Sequence, residues 1–163
     1  MTNTTVLRLE AIRERIANPP TVQPLFFRDV FICQAMDPIG EAAKMMLKSS
    51  FSQVPVYKDE IFEGLLTTQT IARWLAAKLE TGIGLLEEES VKNVLTFSEY
   101  DDNYRFIKRN TTLYDVSQYF DDFVQKGRNL DALIITHSGK SNEKPLGIVT
   151  IFDLPEVFRN IVI

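Results

Sequence analysis

The sequence predicts a mixed α/β (α+β) chain that carries one unit twice behind an N-terminal helix, each copy running strand, helix, strand, turn, strand, helix. Two observations predict it. Apolar residues alternate between helical and extended spacing along the chain. The pattern also returns: Leu113, Val116 and Phe120 lie 74 positions after Ile39, Ala42 and Met46 with matching apolar character.

The first segment sets Val6, Leu9, Ile12 and Ile16 at helical spacing among charges, and Asn18-Pro19-Pro20 stops it, so residues 1–20 read as an amphipathic leader helix. An extended segment follows around Val30-Phe31-Ile32-Cys33, then a helix from about Pro38 to Lys48. Gln53-Val54-Pro55-Val56-Tyr57 reads as a strand, Lys58-Asp59-Glu60 as its turn, and Ile61 to Thr67 as the antiparallel return. A second helix covers Thr70 to Leu79, with Ile71, Trp74, Leu75 and Leu79 on one face. Gly82-Ile83-Gly84 ends it as glycine ends helices, by tolerating positive φ.

In the second copy Phe106-Ile107 resembles the strand at Phe31-Ile32. Ala132-Leu133-Ile134-Ile135 lies 78 positions after Val54 to Tyr57, and Gly147-Ile148-Val149-Thr150 lies 83 after Gly64-Leu65-Leu66-Thr67. The growing offset places insertions near Gln125 to Asn129 and in the turn Ser138 to Lys144, where loops absorb length. The expected segments are the leader helix at 1–20, a first motif at 21–84, an acidic linker at 85–103 and a second motif at 104–163.

Eighteen Lys and Arg stand against 22 Asp and Glu in 163 residues, a net charge of −4 with 45% hydrophobic residues. This is globular composition, and without a basic block it argues against nucleic acid as a partner. The apolar runs are a few residues long, far short of the ~20 that span a bilayer. Cys33 is the one cysteine and cannot form an intramolecular disulfide. Charges fill residues 1–16 where a secretory signal would be apolar, and a cytoplasmic address is expected.

The pair Gln53-Val54-Pro55-Val56 with Gly64-Leu65-Leu66-Thr67, and the later Gly147-Ile148-Val149-Thr150-Ile151-Phe152-Asp153-Leu154, resemble two cystathionine-β-synthase (CBS) domains in tandem over about Val22 to Phe158. The resemblance implies a Bateman module: two β-α-β-β-α motifs packed around a pseudo-two-fold axis, commonly paired again into a homodimer. It implies a regulatory, non-catalytic role, with an adenine-containing nucleotide (AMP, ADP, ATP or cyclic di-AMP class) as the regulatory ligand and an unidentified effector protein as partner. No other cofactor is expected.

The family's Gly-h-h-Thr/Ser-x-x-Asp/Asn signature places ribose and phosphate contacts on Thr150 and Asp153. A strand that ends in a helix offers free N–H groups to phosphate, and a carboxylate three residues on accepts from ribose hydroxyls. The same residues also fit a helix cap, and one pair can serve both ends. By family position Phe106, Ile107, Asp131, Ala132 and Leu133 line the base pocket, with Lys108 and Arg109 favoured for phosphate over Arg105, Lys126 and Arg128.

In the first copy Ile32, Gln53, Val54, Pro55, Thr67 and Thr70, together with Phe31 and Ser52, form the corresponding site. Thr70 stands where the acid belongs, so that site is expected to be the weaker. The chief alternative is a ligand-free dimerisation or docking module. An enzyme is not expected: His137 is the one histidine, there is no His-Glu-x-x-His, Gly-x-Ser-x-Gly or Gly-x-x-x-x-Gly-Lys-Ser/Thr motif, and Glu87 to Glu89 and Glu99 to Asp102 read as solvated acids.

Overall fold

The computed structural model describes residues 2–82, 84 and 86–161. Ile83, within the expected helix stop, lies outside the described residues, as do the limits 1, 85 and 163 of the expected segments. The elements run α1 (Asn3–Ala17), α2 (Gln23–Phe26), β1 (Cys33–Gln34), α3 (Ile39–Ser49), β2 (Gln53–Lys58), β3 (Ile61–Thr67), α4 (Thr68–Thr81), α5 (Val91–Leu95), β4 (Tyr104–Lys108), α6 (Leu113–Gln125), β5 (Ala132–Thr136), β6 (Gly147–Thr150) and α7 (Leu154–Ile161). Single 3₁₀ turns sit at Leu86–Glu88 and Ile151–Asp153.

Two three-stranded sheets result, ordered β1-β2-β3 and β4-β5-β6. In each the first pair is parallel, bridged by a helical crossover, and the second is antiparallel. The repeated helix positions all face a core: Ile39, Ala42 and Met46 are buried in one half, Leu113, Val116 and Phe120 in the other.

The register corrects two of the sequence offsets. Thr67 pairs with Gln53, and Thr150 pairs with Ala132, so β5 follows β2 by 79 positions rather than 78. Cys33 opposes Val56, and Ile107 opposes Ile135, so the first strands correspond at 74, as the helices do. Ile32-Cys33, not Phe31-Ile32, is therefore the counterpart of Phe106-Ile107. The first strand is also shorter than expected, because Val30, Phe31 and Ile32 lie outside it.

The two halves exchange short helices. Val22, at the start of α2, and Phe26 within it lie ahead of β1 and complete the core of the second half beside Leu113, Leu133 and Val149. Val91 and Val94 of α5, which precedes the second copy, complete the first core beside Ile39, Val54 and Leu66. The stretch expected as an acidic linker thus contains two fully buried valines.

Backbone hydrogen bonds repeat the exchange in matching positions. Val22 N donates to Thr111 O and Leu113 N to Pro20 O, while Val91 N donates to Asp37 O and Ile39 N to Glu89 O. This is the pseudo-two-fold relation in atomic terms. Phe62 joins the sheets across it, its ring edge-on to Tyr104 at 4.7 Å and Phe106 at 5.0 Å.

The leader helix α1 buries none of its residues, and Leu7, Leu9 and Ile16 are exposed. It meets the body at its end, where Arg15 Nη1 donates to the carbonyls of Asn160 and Ile161 at 3.2 and 3.3 Å. Among the described residues no helix is long and apolar enough to cross a membrane.

The exchange is tightest at Gly147, where an added Cβ would stand 2.0 Å from the Phe26 carbonyl oxygen. Backbone cannot yield as a side-chain tip does. Gly147→Ala is expected to destabilise the chain by about 3 kcal/mol through overpacking, measured by urea denaturation. A loss below about 0.5 kcal/mol would show that α2 is not held against β6.

Candidate functional site

β6 delivers Thr150 to the start of a 3₁₀ turn that runs into α7, and the turn brings Asp153 back beneath the strand end. Asp153 Oδ2 accepts from Thr150 N at 2.8 Å and Thr150 Oγ1 at 3.1 Å. A charged acceptor on an unpaired helix N–H is a strong cap. Arg28 arrives from the loop after α2: its Nη2 donates to Ile148 O at 2.7 Å and to Asp153 Oδ2 at 3.3 Å. Asp153 Oδ1 has only Arg28 near it, at 3.5 Å, which leaves lone pairs directed outward.

These groups form one wall of a cavity of about 400 Å³. The opposite wall comes from the first copy: Val30 and Phe31 ahead of β1, Ser52 at the entry to β2, and Gln53 and Pro55 within it. Phe51 and Phe152 stand at its rim, half and mostly exposed. Such a mix of apolar faces and a few polar anchors suits a flat heteroaromatic ligand bearing hydroxyls.

The pseudo-symmetric position is closed. Thr67, Thr70, Ser98, Tyr100, Asn103 and Asp131 surround only about 20 Å³. Thr67 Oγ1 accepts from Thr70 N at 3.0 Å, so the cap persists without a carboxylate. Asn103 Nδ2 donates to Asp131 Oδ2 at 2.6 Å, and the adjacent Arg128 pairs with Asp102. The void is filled by the chain's own polar groups.

The residues expected to share a site are therefore distributed differently. Gln53 and Pro55, assigned to the first site, lie across the cavity from Thr150 and Asp153. Ala132 and Leu133 are fully buried, and Val54 is buried in the first core, so none of the three side chains lines a cavity. Phe106, Ile107 and Lys108 border a separate polar groove with Asp115, Tyr119 and Asp122. Arg109 sits on the exposed turn after β4, and Ile32 is outside the open cavity's lining. Thr67 and Thr70 border the closed position.

Arg28, Asp29, Val30, Phe51 and Phe152 line the open cavity without having been singled out. The only sequence signal for Arg28 was a cation following two phenylalanines.

Elsewhere, burial, with Asp37 adding to it, pushes the Cys33 thiol up to about 11. It stays protonated at neutral pH and is no nucleophile. Among the described residues no group of three His, Cys, Asp or Glu side chains is placed to hold a metal ion.

Residues 22–77 match the family model of the CBS domain. No curated protein matches the chain in sequence. Among solved structures, the CBS domain pair of protein MJ0100 in complex with 5′-methylthioadenosine and S-adenosyl-L-methionine is 15% identical, covering 85% of this chain and 95% of that one, with a TM-score of 0.62. CBSX2 in complex with AMP is 12% identical over 87% and 98%, with a TM-score of 0.61. A CBS domain-containing protein of unknown function from Bacillus anthracis str. Ames Ancestor is 19% identical over 88% and 96%, with a TM-score of 0.60. At these identities the likeness is one of fold. Residues 22–77 match the CBS domain, and both halves together have the fold of a CBS-domain pair.

Asp153→Ala removes the cap of the last helix, and a loss of about 1 kcal/mol is expected from urea denaturation. The exposed ion pair with Arg28 adds little to that. An unchanged midpoint would mean that Thr150 holds the turn without its carboxylate.

Proposed function

We propose that this CBS-domain pair is a regulatory sensor whose cavity at the end of β6 takes an adenine-containing ligand and whose occupancy is passed to a partner protein. The observation that carries the proposal is the open cavity itself, which sets the Thr150–Asp153 pair against Phe31, Gln53 and Pro55. The adenine would lie among Val30, Phe31, Ile148 and Phe152, and Asp153 Oδ1 would accept a ribose hydroxyl. Solved relatives of this fold hold AMP, or 5′-methylthioadenosine and S-adenosyl-L-methionine, in keeping with that reading.

Transmission follows from where the walls come from. Phe31, Gln53 and Pro55 belong to the first motif and Thr150 and Asp153 to the second, so a ligand that touches both favours one arrangement of the halves. The apolar side chains of Leu75 and Leu79 on α4 and Phe158 on α7 are exposed and would serve a homodimer or an effector contact. A cytoplasmic setting and a non-catalytic role complete the proposal.

A ligand-free docking module is the second reading, favoured by one observation: Thr150 and Asp153 already satisfy each other. Thermal denaturation of the wild type with AMP, ADP, ATP, cyclic di-AMP and 5′-methylthioadenosine separates the two. A ligand at 100 times its Kd is expected to stabilise the fold by about 2.7 kcal/mol, at one molecule per chain because the mate position is closed. Asp153→Ala is expected to abolish the shift and Thr70→Ala to leave it intact. No stabilisation by any of the five would favour the docking module.

A further inference from the structure

The ionisable side chains that line the open cavity are Arg28, Asp29 and Asp153, one cation against two carboxylates. We infer that the ligand of this site is an adenosine derivative whose 5′ substituent carries no net negative charge, and that nucleoside polyphosphates are rejected. The inference rests on the adenine reading of the cavity and specifies which adenine ligands it admits.

Arg28 is the cation a phosphate would seek, and it is already engaged. Its Nη2 donates to Ile148 O at 2.7 Å and to Asp153 Oδ2 at 3.3 Å. A phosphate that drew Arg28 away would leave the Asp153 carboxylate uncompensated beside a second anion, and like charges at such range repel. Asp29, exposed at the cavity wall, adds a further negative field.

Arg28 is the one Lys or Arg among the described residues that line the cavity, and Arg109, on the turn after β4, is not among them. Arg105 Nη1 donates to the carbonyls of Asp102 and Tyr104, and its guanidinium lies 4.7 Å from the Phe123 ring centroid. Arg128 pairs with Asp102 near the closed position. Lys108 borders the separate groove, which Asp115 and Asp122 also line. An uncharged thioether or a cationic sulfonium at the 5′ carbon meets a net negative wall without displacing anything. A dianionic monophosphate does not.

Isothermal titration of the full chain at about 0.15 M salt with 5′-methylthioadenosine, AMP and ATP tests this. The thioether nucleoside is expected to bind at least about tenfold more tightly than AMP, and ATP more weakly still. Asp29→Lys changes an exposed side chain and turns the lining from net −1 to net +1. It is expected to raise the affinity for AMP relative to the thioether by about tenfold. AMP or ATP binding as tightly as the thioether in the wild type, or a ratio unmoved by Asp29→Lys, would overturn the inference while leaving an adenine site in place. Binding of none of the three would overturn the adenine reading and this inference together.

Discussion

The structure depends on an exchange: each half of the chain is closed by a short helix that precedes the other half. A three-stranded sheet with two helices at this size is marginal when it must close its core by itself. Val22 and Phe26 supply the missing part of the second core, and Val91 and Val94 that of the first. Two matching sets of backbone hydrogen bonds fix both helices, from Val22 to Thr111 and from Val91 to Asp37. Neither half can unfold without exposing apolar residues that the other contributes, so the chain behaves as one cooperative body although its sequence is a repeat.

The same exchange explains why cavities sit where they do. The loop that leaves α2 passes the end of β6 on its way to β1, carrying Arg28, Asp29, Val30 and Phe31 over Thr150 and Asp153. The loop that leaves α5 makes the equivalent passage over Thr67 and Thr70 with Ser98, Tyr100 and Asn103. Backbone symmetry gives two sites, and side chains then decide which stays open. Asp153 draws Arg28 into an ion pair, whereas Thr70 offers only a hydroxyl, which Thr67 takes up at 3.0 Å. With the Asn103–Asp131 hydrogen bond across it, the second position fills from within.

Much of the fold was legible because the buried helix positions repeat at a constant 74 residues, a periodicity that core packing enforces. The strand register was less so. β5 is buried along its whole length and β2 over four successive residues, so a slip of one leaves the apolar pattern unchanged, and only the pairing of Thr67 and Thr150 settles it. The exchanged helices escaped notice for a related reason: with four and five residues they make barely one turn, too short for a helical period to register. Around the open cavity, the Thr150–Asp153 cap was readable from its spacing, and the missing acid of the first copy from Thr70. Arg28 was not, since its partner lies 125 residues away and only the fold brings them together.

The exchange also constrains how a bound molecule can act. Gly147 of β6, three residues before Thr150, packs against the carbonyl of Phe26, two residues before Arg28. On the proposed function, a shift of Arg28 or Thr150 on binding would reach the contact that seats α2 on the second core, where a Cβ at Gly147 would already stand 2.0 Å from the Phe26 carbonyl oxygen. Because Phe26 leads into the loop carrying Val30 and Phe31, the same path runs on to β1 and the first sheet. In the proposed sensor, ligand and interface would be coupled through this backbone contact, and the element to be biased would be the seating of one half against the other.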